Sequence, residues 1–278
     1  MDVFGVAVAA GGELMRAAAI DAGYELGIFD GTCAIRTKKL RALRDVLVAI
    51  GAIDHPPPRP NVPRDGWGRM AEVIRGNRAL DVEGGEIELR YHEHLLRAGR
   101  AAAVALAAEL PSGSLVDLGG GAGAYTRAYL EAHAGARSTL CDFHEVLALA
   151  RRELGAFGDR VRFVSGDASC APIGEGHDVA LLANLLHLHG EAHCARLVAA
   201  AARAVRSGGV VAIKDLTIDD ARTAPIESLL FALNMAIYTG DGDVYTPSQL
   251  RAWLASAGLV DIRPIAIDDG MCWVGSKP

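Results

Sequence analysis

The sequence predicts an α/β protein, a doubly wound and mostly parallel sheet ending in an antiparallel strand, preceded by a small, mostly helical domain. Three observations carry that prediction. From residue 114 to about 216, short apolar runs alternate with helix-length amphipathic stretches, the pattern of strand–helix–strand units. A glycine cluster, "GGGAG" at 119–123, directly follows the first run and opens a helical pattern. Near the C-terminus, "LVDIRPIAID" and "MCWVGS" follow one another with no helix between them and read as an antiparallel pair.

The elements follow in chain order. "GELMRAAAIDAGYELGIFD" and "KKLRALRDVLVAIGAID" repeat apolar residues three and four apart and each runs into a glycine-containing stop, so both are predicted helices. "HPPPRPNVPRDGWG" (55–68) holds five of the eleven prolines and reads as a loop or stiff connection. A long helix is predicted over 86–110. Strands are predicted at 114–118, 136–142, 160–166, 178–184 and 209–216, separated by helices at about 123–133, 145–154 and 191–206. The expected organisation is a helical domain over 1–85, a linking helix over 86–110 and an α/β domain over 111–278.

Composition narrows the function. With 51% hydrophobic and 22% charged residues over 278 positions, the chain can bury a substantial core throughout. A net charge of −6 with no local Lys/Arg block argues against nucleic acid as a partner. "FGVAVAA" is too short and wrongly flanked for a leader or a membrane span, so a cytoplasmic protein with no membrane partner is expected. The five cysteines, Cys33, Cys141, Cys170, Cys194 and Cys272, form no C-x-x-C pair and are expected to be reduced and mostly buried.

The glycine stretch fits two cofactors. "GGGAGA" is a weak dinucleotide match, whereas "DLGGGAG" matches in full the D-x-G-x-G-x-G loop that holds S-adenosylmethionine. Asp117 stands where that cofactor's amino group needs a carboxylate. Asp142 ends the second strand, where an acid accepts from both ribose hydroxyls, a device NAD folds share. Asp167, after the third strand in "SGDAS", is placed to accept from the adenine amine. Three acids at the ends of three successive strands select S-adenosylmethionine, against the alternative that each merely caps a helix or turn. The cofactor set is thus Asp117, Gly119, Gly121, Gly123, Asp142, Phe143, Asp167 and Ala168.

On these residues the chain resembles, over nearly its whole length, the S-adenosylmethionine-dependent small-molecule O-methyltransferases of the caffeate, hydroxyindole and bacterial antibiotic-tailoring type. "DLGGGAGAY", "CDFHEVLALAR" and "GDAS" fall in the order of that family's cofactor motifs. "YELGIFD" and "LRALRDVLVAIGAID" resemble its winged-helix dimerisation domain. "LLANLLHLHGEAHC" resembles the segment with its catalytic histidine, which His187 matches, as Cys194 matches the cysteine. "GDVYTPSQLRAWLASAGL" resembles its late helix.

The resemblance implies a Rossmann-like methyltransferase sheet, a homodimer formed through the N-terminal domain, and base-assisted methyl transfer to a hydroxyl of a small aromatic or conjugated metabolite. His187 takes the proton in that reading, and Asp215, in "AIKDL", replaces the usual glutamate that orients it. The family's D-W after the histidine is Leu188–His189 here, and its second glutamate falls on Val244. Those departures keep N- or C-methylation, or a non-methylating use of the cofactor, as the alternative.

Tyr91 and His92 in "YHEH", with Phe231, Met235 and Tyr238 in "LLFALNMAIYTG", are the candidate acceptor-site residues; the same spacings also describe a polar helix face and a buried one. His187, His189 and His193 raise a metal reading, but a strand-to-helix crossing scatters such side chains, and no metal is expected. An NAD-dependent oxidoreductase and a winged-helix regulator remain as readings from other classes.

Overall fold

In the computed structural model, residues 11–63, 66–77, 79, 96, 99–267 and 270–278 are described. Their contacts divide the chain into two compact units. The described residues of Met1–Gly84 belong to one, together with His187–His189 and Thr217–Pro247; the other comprises Gly85–Leu186, Gly190–Leu216 and Ser248–Pro278.

The second unit is built on a seven-stranded sheet: β1 (Ser114–Leu118), β2 (Arg137–Asp142), β3 (Val161–Ser165), β4 (His177–Ala183), β5 (Val205–Asp215), β6 (Val260–Ile267) and β7 (Gly270–Ser276). The spatial order is β3-β2-β1-β4-β5-β7-β6. β1 to β5 pair in parallel, and β7 lies antiparallel between β5 and β6. This is the doubly wound sheet with a terminal antiparallel strand that the alternation predicts. The central strands are buried over most of their length and, Asp117 apart, apolar where they are buried, as strands covered on both faces tend to be: β1 is buried from Leu115 to Leu118, and β4 from Val179 to Ala183.

The chain winds outward from β1 through β2 to β3, then returns to place β4 on the other side of β1. That reversal opens a crevice at the carboxyl ends of β1 and β4, where ligands bind in open α/β sheets. Helices Arg100–Glu109, Ala124–Ala132, His144–Leu154 and Glu191–Ala204 belong to this unit, with Pro247–Ser256, which contributes Ser248 onward. Three observed helix starts fall within a residue of the predicted ones.

The first unit holds α1 (Gly11–Glu25), α2 (Lys38–Ala49), α3 (Met70–Gly76) and a helix from the late segment, Ile226–Tyr238. In order along the chain the remaining helices become α4 (Arg100–Glu109), α5 (Ala124–Ala132), α6 (His144–Leu154), α7 (Glu191–Ala204), α8 (Ile226–Tyr238) and α9 (Pro247–Ser256). α1 stops at Glu25, short of the predicted end, because Gly27 turns left-handed at φ +71° and the chain folds back with Tyr24 edge-on to Phe29. Thr37 caps α2 by accepting from the Leu40 N–H.

α8 packs on α2 through a buried lysine. The Lys39 ammonium donates to the Ala236 carbonyl in the last turn of α8 and to the Gly240 carbonyl just beyond it, satisfying acceptors at the buried C-terminal end of the helix. Burial holds that lysine below its ordinary pKa. The proline stretch is irregular through residue 63, as expected, and a short 3₁₀ turn, Gly66–Arg69, then carries Trp67. Cys141, Cys194 and Cys272 are buried, Cys33 is half-buried and Cys170 is exposed. Burial pushes the Cys141 and Cys272 thiols up to about 12, which makes them inert at neutral pH.

Candidate active site

The glycine loop owes its shape to backbone conformations that side chains resist. Gly119, Gly121 and Gly123 have φ of +67°, +56° and +88°. A Cβ on Gly119 would lie 2.6 Å from Leu185 Cδ1, just past the end of β4. The loop is drawn back onto β2: the N–H groups of Gly119 and Gly120 donate to the Cys141 carbonyl at 2.8 and 3.3 Å.

The three acids stand at three strand ends, and each is held differently. Asp142 accepts from the Gly121 N–H at 2.8 Å and from the Phe143 N–H at 2.7 Å, so its carboxylate ties β2 to the loop. Asp167 accepts from the Ser169 N–H at 2.8 Å, and His193 Nε2 lies 3.6 Å from it. Asp117 is 1% exposed; one oxygen accepts from Thr126 Oγ1 at 2.7 Å, while the other, Oδ1, is buried with no hydrogen-bond partner. Burial pushes the Asp117 carboxyl up to about 6; the Thr126 hydrogen bond works against the rise and the charge of Asp142 adds to it. Phe143 is exposed beside Asp142, and Ala168 is buried beside Asp167.

Thr126 escaped the sequence reading. It lies on the first turns of α5, and its hydroxyl also lies 3.3 Å from Ser138 Oγ, so a buried chain of polar groups aims Asp117. Its spacing from the glycines is the only trace it leaves in the sequence.

Of the remaining candidates, His187 and the residues of α8 lie in the first unit and Asp215 in the second. His187 sits on the Leu186–Leu188 turn that follows β4, is buried, and meets Phe231 edge-on with ring centroids 5.0 Å apart. Phe231, Asn234, Met235 and Tyr238 all lie on α8; Met235 and Tyr238 are buried. Asn234, absent from the candidate set, accepts from Trp67 Nε1 at 3.0 Å. Trp67 lies in the segment read as a loop, and only the tertiary fold pairs two residues so far apart in sequence. Asp215 ends β5, is buried, and accepts from the Leu216 N–H. Tyr91 and His92 lie outside the described residues.

The turn carrying His187 is fastened on several sides. In the second unit, Cys194 Sγ–H donates to the Leu186 carbonyl at 3.3 Å. In the first, the Asp243 N–H donates to the His187 carbonyl at 3.0 Å, and the Tyr245 hydroxyl donates to the His189 carbonyl. Val244, where a second acid was expected from the resemblance, is fully buried. Among the described residues no cluster of three or more His, Cys, Asp or Glu side chains has the arrangement of a metal site.

A family model for the O-methyltransferase domain matches residues 100–260, more than half of the chain. The chain belongs to the O-methyltransferase family. It is 30% identical over 215 residues to the 3-hydroxy-5-methyl-1-naphthoate 3-O-methyltransferase of Streptomyces sahachiroi, covering 72% of this chain and 62% of that protein. Its fold is that of an O-methyltransferase family 2 protein from Planctomyces limnophilus, solved in complex with apigenin, with a TM-score of 0.78, 24% identity and coverage of 100% and 97% of the two chains. The human N-acetylserotonin methyltransferase, solved in complex with S-adenosylmethionine, has the same fold with a TM-score of 0.65 at 21% identity, over 96% and 95% of the chains. The chain spans less than two thirds of the length of the curated relatives it matches.

Proposed function

We propose that this chain is an S-adenosylmethionine-dependent O-methyltransferase that methylates a hydroxyl of a small aromatic or conjugated metabolite. The observation that carries the reading is the Asp117 Oδ1 atom, buried and without a partner at the end of β1, beside a loop of left-handed glycines. A buried carboxylate oxygen left without a hydrogen bond is costly unless a cationic donor satisfies it. S-adenosylmethionine brings such a group, an ammonium, and the residues present fit it. Asp117 would hold the amino group, Asp142 and the neighbouring Phe143 the ribose side, and Asp167 and Ala168 the adenine, while Gly119, Gly121 and Gly123 let the backbone approach.

Bound there, S-adenosylmethionine supplies a methyl group already activated by the positive charge of its sulfonium. The protein then has to align the acceptor oxygen and remove its proton. His187 would accept that proton on a ring nitrogen. A positioned base of this kind contributes about 10² to 10⁴ in rate. Asp215 is the proposed partner that orients the imidazole, and Phe231, Met235 and Tyr238 line the acceptor side. The naphthoate, tetracenomycin and acetylserotonin O-methyltransferases among its relatives support an aromatic acceptor.

Among the described residues no helix is long and apolar enough to cross a membrane, which is consistent with a cytoplasmic enzyme. The N-terminal unit, with Leu14 and Val48 exposed on α1 and α2, is proposed as a winged-helix-like piece that forms a homodimer. Val244, apolar where a second acid would stand, favours N- or C-methylation as the second reading.

Calorimetric titration of wild type and Asp142→Ala with S-adenosylmethionine and S-adenosylhomocysteine tests the cofactor assignment. Micromolar binding lost in the variant supports it, and the absence of binding by folded wild type refutes it. Sedimentation of the full chain tests the dimer.

A further inference from the structure

The segment from Asp241 to Tyr245 lies across the turn that carries His187, and one side chain holds it there. Asp243 Oδ1 accepts from Arg222 Nη2 at 2.8 Å and from the Val244 N–H at 2.8 Å, and Lys38 Nζ lies 3.3 Å from Oδ2. The same two cations brace the neighbouring backbone: Arg222 Nη1 donates to the Val244 carbonyl at 2.9 Å and Lys38 Nζ to the Asp241 carbonyl at 2.8 Å. With its carboxylate held this way, Asp243 directs its own N–H onto the His187 carbonyl at 3.0 Å.

Two backbone features show that this approach is close and specific. A Cβ on Gly242 would lie 2.4 Å from the His187 carbonyl oxygen and 2.3 Å from Thr239 Oγ1, so only glycine permits the contact. Arg222 has φ +55°, a left-handed conformation that an arginine adopts at a cost, and both ends of its guanidinium are engaged at the segment it braces. A strained residue tied by two hydrogen bonds to one short stretch is the mark of a position over-determined by its surroundings.

We propose that Asp243, bridged by Arg222 and by Lys38 from the N-terminal helix α2, is a positioning residue for His187. It acts through the main chain: the carboxylate sets the 241–245 strap, and the strap sets the His187 backbone and hence the direction of its ring toward Phe231. This rests on the reading of His187 as the base. The strap supplies from behind an orientation that Val244, buried and apolar, cannot supply by a hydrogen bond to the imidazole. It also gives the N-terminal helix a part in catalysis through Lys38, beyond any role in assembly.

The test compares wild type, Asp243→Ala, Asp243→Asn, Lys38→Met and His187→Ala as full-length protein. The imidazole signals of His187 are assigned by NMR from their loss in His187→Ala, and the cross-relaxation between the His187 and Phe231 rings is measured. Methyl transfer to 3-hydroxy-1-naphthoate, used as the probe acceptor, gives kcat and KM, and calorimetry gives the affinity for S-adenosylhomocysteine. Asp243→Ala is expected to weaken or abolish the ring–ring signal and to lower kcat about 10- to 100-fold, with KM and S-adenosylhomocysteine affinity within about threefold of wild type. Lys38→Met and Asp243→Asn are expected to shift the same readouts in the same direction by less.

An unchanged ring–ring signal in folded Asp243→Ala overturns the proposal whatever the turnover. So does a loss confined to cofactor affinity. If His187→Ala retains full rate while the ring signal responds to Asp243, the base assignment fails and takes the catalytic consequence with it. If Asp243→Ala does not fold, the same readouts in Asp243→Asn and Lys38→Met decide the outcome.

Discussion

Thr126 Oγ1 donates to Asp117 Oδ2 at 2.7 Å, and that bond leaves the other carboxylate oxygen buried without a partner. The asymmetry gives the site its pH dependence. Burial pushes the Asp117 carboxyl up to about 6 in the folded protein, against an ordinary value of 3.8. The folded pKa is the raised one, so the stability linked to this group is complete below about pH 4 and is lost as pH rises through 6. The difference corresponds to about 3 kcal/mol. Denaturant unfolding of the ligand-free protein is expected to show this loss between about pH 4 and pH 7, after allowance for other groups by comparison with Asp117→Asn, which lacks it.

A bound cation has the opposite preference, since it favours the ionised carboxylate. S-adenosylmethionine affinity is therefore expected to be highest near pH 7 and to fall up to about tenfold per unit below pH 6, where a proton is released on binding. Thr126→Val removes the bond that stabilises the carboxylate and should move the midpoint of that fall to higher pH. Calorimetry across pH in two buffers of different ionisation enthalpy measures both the affinity and the proton count. A pH-independent affinity in wild type would sink the assignment of Asp117 to the amino group.

Gly119→Ala is expected to damage the loop for two separable reasons. The residue stands at φ +67°, and the added methyl would meet Leu185 Cδ1 at 2.6 Å. The backbone term alone costs about 1–2 kcal/mol, and the steric term adds to it. Leu185→Ala in the same chain removes the second term and leaves the first. The double variant should therefore recover part of the lost stability and cofactor affinity, and full recovery would show that the left-handed backbone is not required.

His187→Ala is expected to lower kcat by about 10² to 10⁴ while leaving S-adenosylhomocysteine affinity near wild type. The proposed role of His187 is toward the acceptor's proton and not toward holding the cofactor, so cofactor affinity is expected to stay unmoved. Single-turnover methyl transfer to 3-hydroxy-1-naphthoate checks this. Retained turnover refutes His187 as the base.

These outcomes also mark what the sequence makes legible. β1 through β4 and the helices after them could be placed within a residue or two because their apolar runs are short and bounded by glycine, proline or charge. Asp117, Asp142 and Asp167 could be placed because each lies at, or within two residues of, the carboxyl end of a strand, and that edge is where a doubly wound sheet presents its ligands. Thr126, Asp243 and Trp67 carry no such signature. Each acts through a contact made by tertiary packing, and a local pattern cannot say that Asp243 will meet His187 or that Lys39 will close the end of α8. The grouping of Thr217–Pro247 with the N-terminal helices arises from contacts of the same long-range kind.

The Trp67–Asn234 pair gives a prediction whose sign depends on counting partners. An indole N–H can only donate, so the Asn234 atom facing it at 3.0 Å is the oxygen, and the amide orientation follows. Asn234 is 1% exposed and its Nδ2 has no hydrogen-bond partner. Trp67→Phe strands the amide oxygen as well as the nitrogen and should cost about 1–3 kcal/mol beyond the lost ring area. Asn234→Leu strands the indole N–H but removes the already unsatisfied Nδ2, so it should cost less. With both replaced, no polar atom of the pair remains buried, and a double-mutant cycle should return a coupling of about 1–2 kcal/mol. Additive losses from thermal or denaturant unfolding would mean that the bond contributes nothing to stability, and that Asn234 is held in place by packing alone.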